Sequence, residues 1–141
     1  MLRIVTLTVL AIVLAAPGVA SAACAGADPA ITTVAVKSVT QAGGINHYTL
    51  TGTVVNDGTQ AQAKDTLQFV DIFQQPGEKL DAKGIPPLAP GQSYTFSYVM
   101  LRSAEAGNGT TTLHFQLDLH QPAPSASSDC NTANDTYSVT F

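Results

Sequence analysis

The chain has 141 residues, of which 45% are hydrophobic and only 11% are charged, whereas ordinary globular domains carry ~25% charged residues. That length fits about one domain. Six basic residues stand against ten acidic ones, giving a net charge of −4. Because no basic run occurs, we expect no nucleic acid among the partners. The two cysteines form no C-x-x-C pair, which argues against a zinc finger.

The first 22 residues have the pattern of a secretory signal peptide. Arg3 precedes an apolar run from Ile4 to Ala16, and the small-residue triplet Ala20-Ser21-Ala22 follows, which is the usual order of charge, apolar segment and cleavage site. We therefore predict a signal peptide at residues 1–22, cleavage after Ala22, and a secreted or periplasmic domain at residues 23–141. No other stretch approaches ~18 consecutive apolar residues, so we expect no membrane span.

Cys24 lies just after the predicted cleavage site, and the other cysteine is Cys130. The interpretation we favour is a disulfide between them in an oxidising compartment. It would close a loop of about 106 residues, for which chain entropy predicts ~4–5 kcal/mol of stabilisation. Lipidation of Cys24 is the alternative, although a bacterial lipoprotein signal has an aliphatic residue where this chain has Ser21.

The remainder of the chain shows alternating apolar and polar residues and no helical periodicity. Its many threonines, 17 in the whole sequence, suit a half-buried pleated surface. Turn signals such as Asn56-Asp57-Gly58-Thr59 separate the alternating segments. The pattern predicts an all-β sandwich of six or seven antiparallel strands. In chain order the predicted strands are Thr32–Thr40, Asn46–Val55, Thr66–Phe73, a short one around Glu78–Asp81, Ser93–Leu101, Thr110–Leu119 and Thr136–Phe141.

The proline-rich segment from Ile85 to Gly91 interrupts this pattern. Its three prolines lack the amide donor that a central strand needs. We expect an ordered crossover that places Ile85 and Leu88 on the core.

Four segments, taken in order, carry a resemblance to a known family. They are Val54–Thr59, Leu67–Asp71, Ile85–Ser93, and Asp118 followed by Asp129-Cys130-Asn131 and Asn134-Asp135 before Tyr137-Ser138-Val139. Together they resemble the cell-adhesion-related domain found in bacteria, an immunoglobulin-like module. The resemblance implies an immunoglobulin-like antiparallel β-sandwich of about seven strands, with a binding or spacing role rather than a defined activity. In such a sandwich Cys24 and Cys130 would lie at the same pole.

Two polar clusters are candidate sites. Asp129, Asn131, Asn134 and Asp135 are the candidate binding residues, since their oxygens suit calcium. The run lacks the glycine and final glutamate of an EF-hand loop, and Asx capping of turns accounts for the same residues, so both interpretations stay open. The second cluster, which shares one strand face, comprises His114, Gln116, Asp118 and His120.

The histidine cluster predicts no metal site. Residues rise ~3.3 Å along a strand, so His114 and His120 would stand ~20 Å apart. One ion cannot reach both.

No catalytic residues are predicted. The chain has no G-x-S-x-G elbow and no glycine-rich phosphate loop before a helix, so we expect no enzyme and no cofactor. The function we favour is a binding or adhesion module whose loops and sheet edge contact a protein or an envelope component. A structural accessory subunit of an envelope assembly and a carrier of a small ligand or metal are the alternatives.

Overall fold

A computed structural model of the chain describes residues 24–74, 77–105, 109–125 and 127–141. The predicted signal peptide at residues 1–22 lies outside the described residues. Among the described residues, no helix is long and apolar enough to span a membrane. The elements, in chain order, are β1 (Pro29–Ala42), β2 (Ile45–Asn56), β3 (Leu67–Gln74), β4 (Glu78–Ile85), β5 (Ser93–Ser103), β6 (Thr112–Gln121), a 3-10 turn (Thr132–Asn134) and β7 (Thr136–Thr140).

Two antiparallel sheets form a sandwich, which confirms the predicted fold class. One sheet has the strand order β1-β2-β5, and the other has β4-β3-β6-β7. In the constant-type immunoglobulin arrangement the fourth strand belongs to the sheet of the first, second and fifth strands. Here β4 pairs with β3 instead. Gln74 pairs with Glu78, and so short a connection cannot carry the chain across to the other sheet.

The core lies between the sheets and consists of the inward residues of each alternating strand. Leu50 and Val54 of β2 are at most 1% exposed, and Val70, Ile72 and Phe115 of the other sheet are fully buried. This burial follows directly from the period of two in each strand.

Gly52 of β2 allows an aromatic ring to enter the core. Gly52 is directly opposite Phe96 of β5, and a Cβ added at Gly52 would overlap the Phe96 ring carbons. The ring therefore covers the glycine and reaches Phe115 of the facing sheet, with 6.0 Å between the ring centroids. A glycine in a strand interior often marks such a close approach.

The first strand is longer than predicted. It begins at Pro29 rather than Thr32, a position that tolerates proline because the first residue of a strand needs no ladder donor. Register shifts after Ile31 and after Val36 interrupt its pairing with β2. The second shift leaves Val39 paired with Tyr48 on the inner face, but β1 is exposed from Lys37 onward, and Val39 is 51% exposed.

Candidate functional site

Four segments meet at one end of the sandwich, which we call the disulfide pole: residues 24–28, 57–66, 86–92, and 122–135 without residue 126. Cys24 and Cys130 form a disulfide there, with 5.9 Å between their Cα atoms, so the predicted pairing is confirmed. Backbone hydrogen bonds also join the segments on either side of the disulfide. The Cys130 N–H donates to the Ala27 carbonyl at 3.0 Å, and the Ala27 N–H donates to the Ser127 carbonyl.

A buried amide, Asn56, connects three of these segments. Its Oδ1 accepts hydrogen bonds from the N–H groups of Asp28 and Gly58 at 2.9 and 3.0 Å. Its Nδ2 donates to the carbonyls of Gln60 and Leu88, both at 2.9 Å. The side chain is fully buried, and these four bonds satisfy its hydrogen-bonding capacity, as a buried amide requires.

A second pair of buried amides holds the proline-rich crossover in place. Gln62 and Gln68 exchange two amide hydrogen bonds of 2.9 Å. Gln62 Oε1 also accepts from the Leu88 N–H, and Gln68 Nε2 also donates to Pro86. The prediction for the crossover is confirmed, because Ile85 and Leu88 are 4% and 1% exposed. Such networks add rigidity when every member is satisfied.

The candidate binding residues lie in the last segment of the disulfide pole. The Asp129 carboxylate accepts from the Asn131 N–H at 3.0 Å, which is an Asx turn. Asn134 ends the 3-10 turn, and its Nδ2 donates to Asp28 Oδ1 at 3.0 Å. Asn131 precedes that turn without capping it through its side chain. The fold therefore brings together Asp28, Asp129, Asn134 and Asp135.

Burial and the repulsion between neighbouring carboxylates raise pKa values in this cluster. The pKa of Asp135 is raised to about 7. Partial burial is the largest cause, followed by the charge of Asp129, a hydrogen bond with Asp129 and the charge of Asp28. Burial also raises the pKa of Asp129, against the opposing effect of the Asn131 N–H. Oδ1 of Asp135 and Oδ1 of Asn134 are buried without a hydrogen-bond partner among the described residues. The raised pKa means that the Asp135 carboxyl keeps its proton up to near neutral pH.

A surface cleft of about 530 Å³ opens beside these carboxylates. Its walls come from the end of β6 and from the last segment of the disulfide pole. Both polar and apolar groups face it, which allows contact with a mixed surface of a partner. The lining residues are Leu117, Asp118, Leu119, Pro124, Ser125, Asp129, Cys130, Thr132 and Asp135.

The histidines of β6 make separate contacts. His114 Nδ1 lies 2.6 Å from the Ser138 hydroxyl, whereas His120 lies 3.3 Å from the Asp118 carboxylate and stacks edge-on against Phe69. Gln116 lies between them, opposite Asp71 of β3. Within the described parts of the chain, no three His, Cys, Asp or Glu side chains are grouped as metal ligands.

Sequence reasoning missed Asp28 and the roles of three amides, Asn56, Gln62 and Gln68. Asp28 precedes the first predicted strand, and nothing local marks its contact with Asn134, which lies 106 positions later. Asn56 was recognised as a turn residue only. Its position could have revealed this role. Asn56 is two residues after the inward-facing Val54 and therefore points into the sandwich as well.

Comparison with known proteins finds no relative of this chain, because no family model, curated protein or solved structure matches it.

Proposed function

We propose that the chain is a secreted or periplasmic binding module without enzymatic activity, which contacts a protein or envelope component through the loops of the disulfide pole. The observation that carries the proposal is the fixed geometry of that pole. One disulfide and the amides of Asn56 and Gln62 hold its segments in one arrangement. Loops on a rigid sandwich commonly carry recognition, and preorganised loops lose little entropy on binding.

The disulfide also supports the proposed location, because such bonds persist in oxidising compartments. The resemblance to the bacterial adhesion-related domain agrees with a contact role. We expect the exported protein to begin at Ala23, as measured by N-terminal sequencing and intact mass. A mass increment of a fatty acid on Cys24 would instead support lipid anchoring.

A binding experiment with matched variants tests the proposal. The exported protein is used to capture envelope components before and after Thr132→Arg, a change on the wall of the cleft. Gln41→Arg is the control, because it adds the same charge at an exposed position on the opposite end of β1. Capture lost with Thr132→Arg and kept with Gln41→Arg supports the pole as the contact surface. Equal capture by both variants contradicts it.

A further inference from the structure

The edges of the two sheets differ in how they are protected from pairing with another strand. Natural edge strands are shortened, charged or bulged for this purpose. β7 has only five residues. β4 carries four charged side chains, Glu78, Lys79, Asp81 and Lys83. β1 has two register shifts, with Lys37 in the second. Each of these three edges therefore has at least one protective device.

β5 has none of these devices. It is 11 residues long, and its register with β2 runs without a shift from Ser93 to Ser103. It contains no proline, and its single charged residue, Arg102, is next to its end. That guanidinium donates to the Gly109 carbonyl at 2.7 Å and lies over the Tyr48 ring. β5 is thus a long and nearly uncharged edge.

The free hydrogen-bonding groups of this edge can be assigned. Just beyond the two ends of the β2–β5 register, Asn56 N–H donates to the Gln92 carbonyl and Ala104 N–H donates to the Gly44 carbonyl. Alternate residues of an antiparallel strand bond to the same neighbour, so the even-numbered residues of β5 bond to β2. The N–H and C=O groups of the odd-numbered residues, such as Ser97 and Val99, therefore point to the open edge.

The outer face beside this edge is also free of formal charge. Val99 and Leu101 are 48% and 57% exposed, and Ile45 on β2 is 41% exposed. Lys37 occupies a bulge without a register partner. The paired outer-face positions of the three strands are Thr33, Ala35, Ser38, Thr40 and Ala42, then Ile45, His47, Thr49, Thr51 and Thr53, and finally Thr95, Ser97, Val99, Leu101 and Ser103.

We propose that β5 pairs antiparallel with β5 of a second copy of this chain, giving a continuous six-stranded sheet across a two-fold axis at Tyr98. This register uses the whole strand and forms about a dozen backbone hydrogen bonds. It places Ser97 opposite Val99 and Arg102 opposite Tyr94, so no two like charges face each other. Lys83, which lies over the Tyr98 ring, is compensated by Asp81 at 2.7 Å.

A second copy fits this edge better than a charged partner strand does. An isologous contact needs a self-complementary surface, and β5 provides one because it is uncharged from Ser93 to Leu101. The contact is small. A strip ~37 Å long and ~10 Å wide gives about 700 Å² over both copies, below the ~1,200 Å² of a stable interface. We therefore expect a weak dimer that forms in a concentration-dependent way.

The test is sedimentation of the oxidised, signal-free protein from about 20 μM to about 1 mM, the range in which so small an interface associates. We expect dimerisation, and we expect Val99→Lys to weaken it at least about tenfold, because the two positions 99 are diagonal neighbours ~7–8 Å apart across the axis, and each would carry a positive charge. Thr33→Lys is the matched control, since it adds the same charge to the same outer face at the far edge. A protein that stays monomeric, or equal weakening by both variants, would overturn edge pairing.

Amide exchange on the unmodified protein gives a second measurement that requires no variant. The N–H groups of Ser97 and Val99 face the edge, and those of Tyr98 and Met100 face β2. We expect exchange at Ser97 and Val99 to slow as concentration rises, with little change at Tyr98 and Met100. Concentration-independent exchange at Ser97 and Val99 would refute the pairing.

The edge pairing goes beyond the proposed binding role, and the two can fail separately. A monomeric protein that still captures an envelope component in a Thr132-dependent way refutes the pairing alone. A dimer without such capture refutes the contact through the disulfide pole alone.

Discussion

The carboxyl pair of Asp129 and Asp135 should make the protein less stable as pH rises through the acidic range. The pKa of Asp135 is raised to about 7 from 3.8, so between those values the unfolded chain has lost a proton that the folded chain keeps. Stability is then full below about pH 4, falls up to about pH 7 and stays level above it. Asp129 shifts in the same direction.

The size of the effect follows from the shift and from the exposure of the pair. A pKa change from 3.8 to about 7 corresponds to about 4 kcal/mol at ~1.4 kcal/mol for each tenfold change. Asp135 is only half-buried, so solvent screening reduces the expected loss to about 1–2 kcal/mol. Lys83 lowers the pKa of Asp81, and that contribution is lost only below pH 3.8, outside this window.

Asp135→Asn tests this reasoning because it keeps the shape and removes the titration. Urea unfolding at pH 4, 5.5, 7 and 8 should show a variant about 1–2 kcal/mol more stable than the parent at pH 8 and nearly equal at pH 4. Asp65→Asn, at an exposed turn, should leave the pH profile unchanged. A parent protein that gains stability from pH 4 to pH 7, or an Asp135→Asn variant with the parent's slope, would refute the argument.

Three further changes probe the fold. Reducing the Cys24–Cys130 disulfide should lower the free energy of unfolding by about 4–5 kcal/mol, measured by urea unfolding with and without reductant, because the disulfide closes a long loop in the unfolded chain. Asn56→Ala should cost about 3 kcal/mol or more in the same assay, since four backbone groups lose their partner, three of them in buried hydrogen bonds. Gly52→Ala should cost about 1–3 kcal/mol because its Cβ overlaps the Phe96 ring, and Phe96→Leu in the same chain should recover part of that loss.

Each of these changes has a control or a contradicting result. Asn46→Ala removes an asparagine at the far end of β2 and should change stability little. Free thiols in the exported protein would contradict the disulfide. A Gly52→Ala cost that is simply additive with Phe96→Leu would show that the ring is not the cause.

The strands and the crossover could be predicted because their signals are local. Alternation places Leu50 and Val54 inward whatever the rest of the chain does, and prolines exclude residues 86–90 from a central strand. The sheet to which β4 belongs depends on pairing, which composition does not encode. Val39 pairs with inward-facing Tyr48 and is nevertheless 51% exposed, because β1 continues beyond the buried core, whose limit depends on the assembled sheets.

Only the contacts between neighbouring residues of the candidate site could be predicted from the sequence. The Asx turn at Asp129 follows from residues two apart. Its partner Asp28, and Asn56, which accepts from the Asp28 N–H, come from distant positions. Their polar side chains are typical of exposed turns in sequence, and only the assembled sandwich buries them.

The position of the disulfide also has a mechanical consequence. A pulling force applied between Cys24 and Phe141 passes through the covalent bridge to Cys130, so the chain between the two cysteines cannot be extended. Only the 11 residues from 131 to 141 can extend, to a contour length of about 39 Å, once the five residue pairs between β6 and β7 separate. Under tension the protein would therefore act as an almost inextensible link with one short, releasable end.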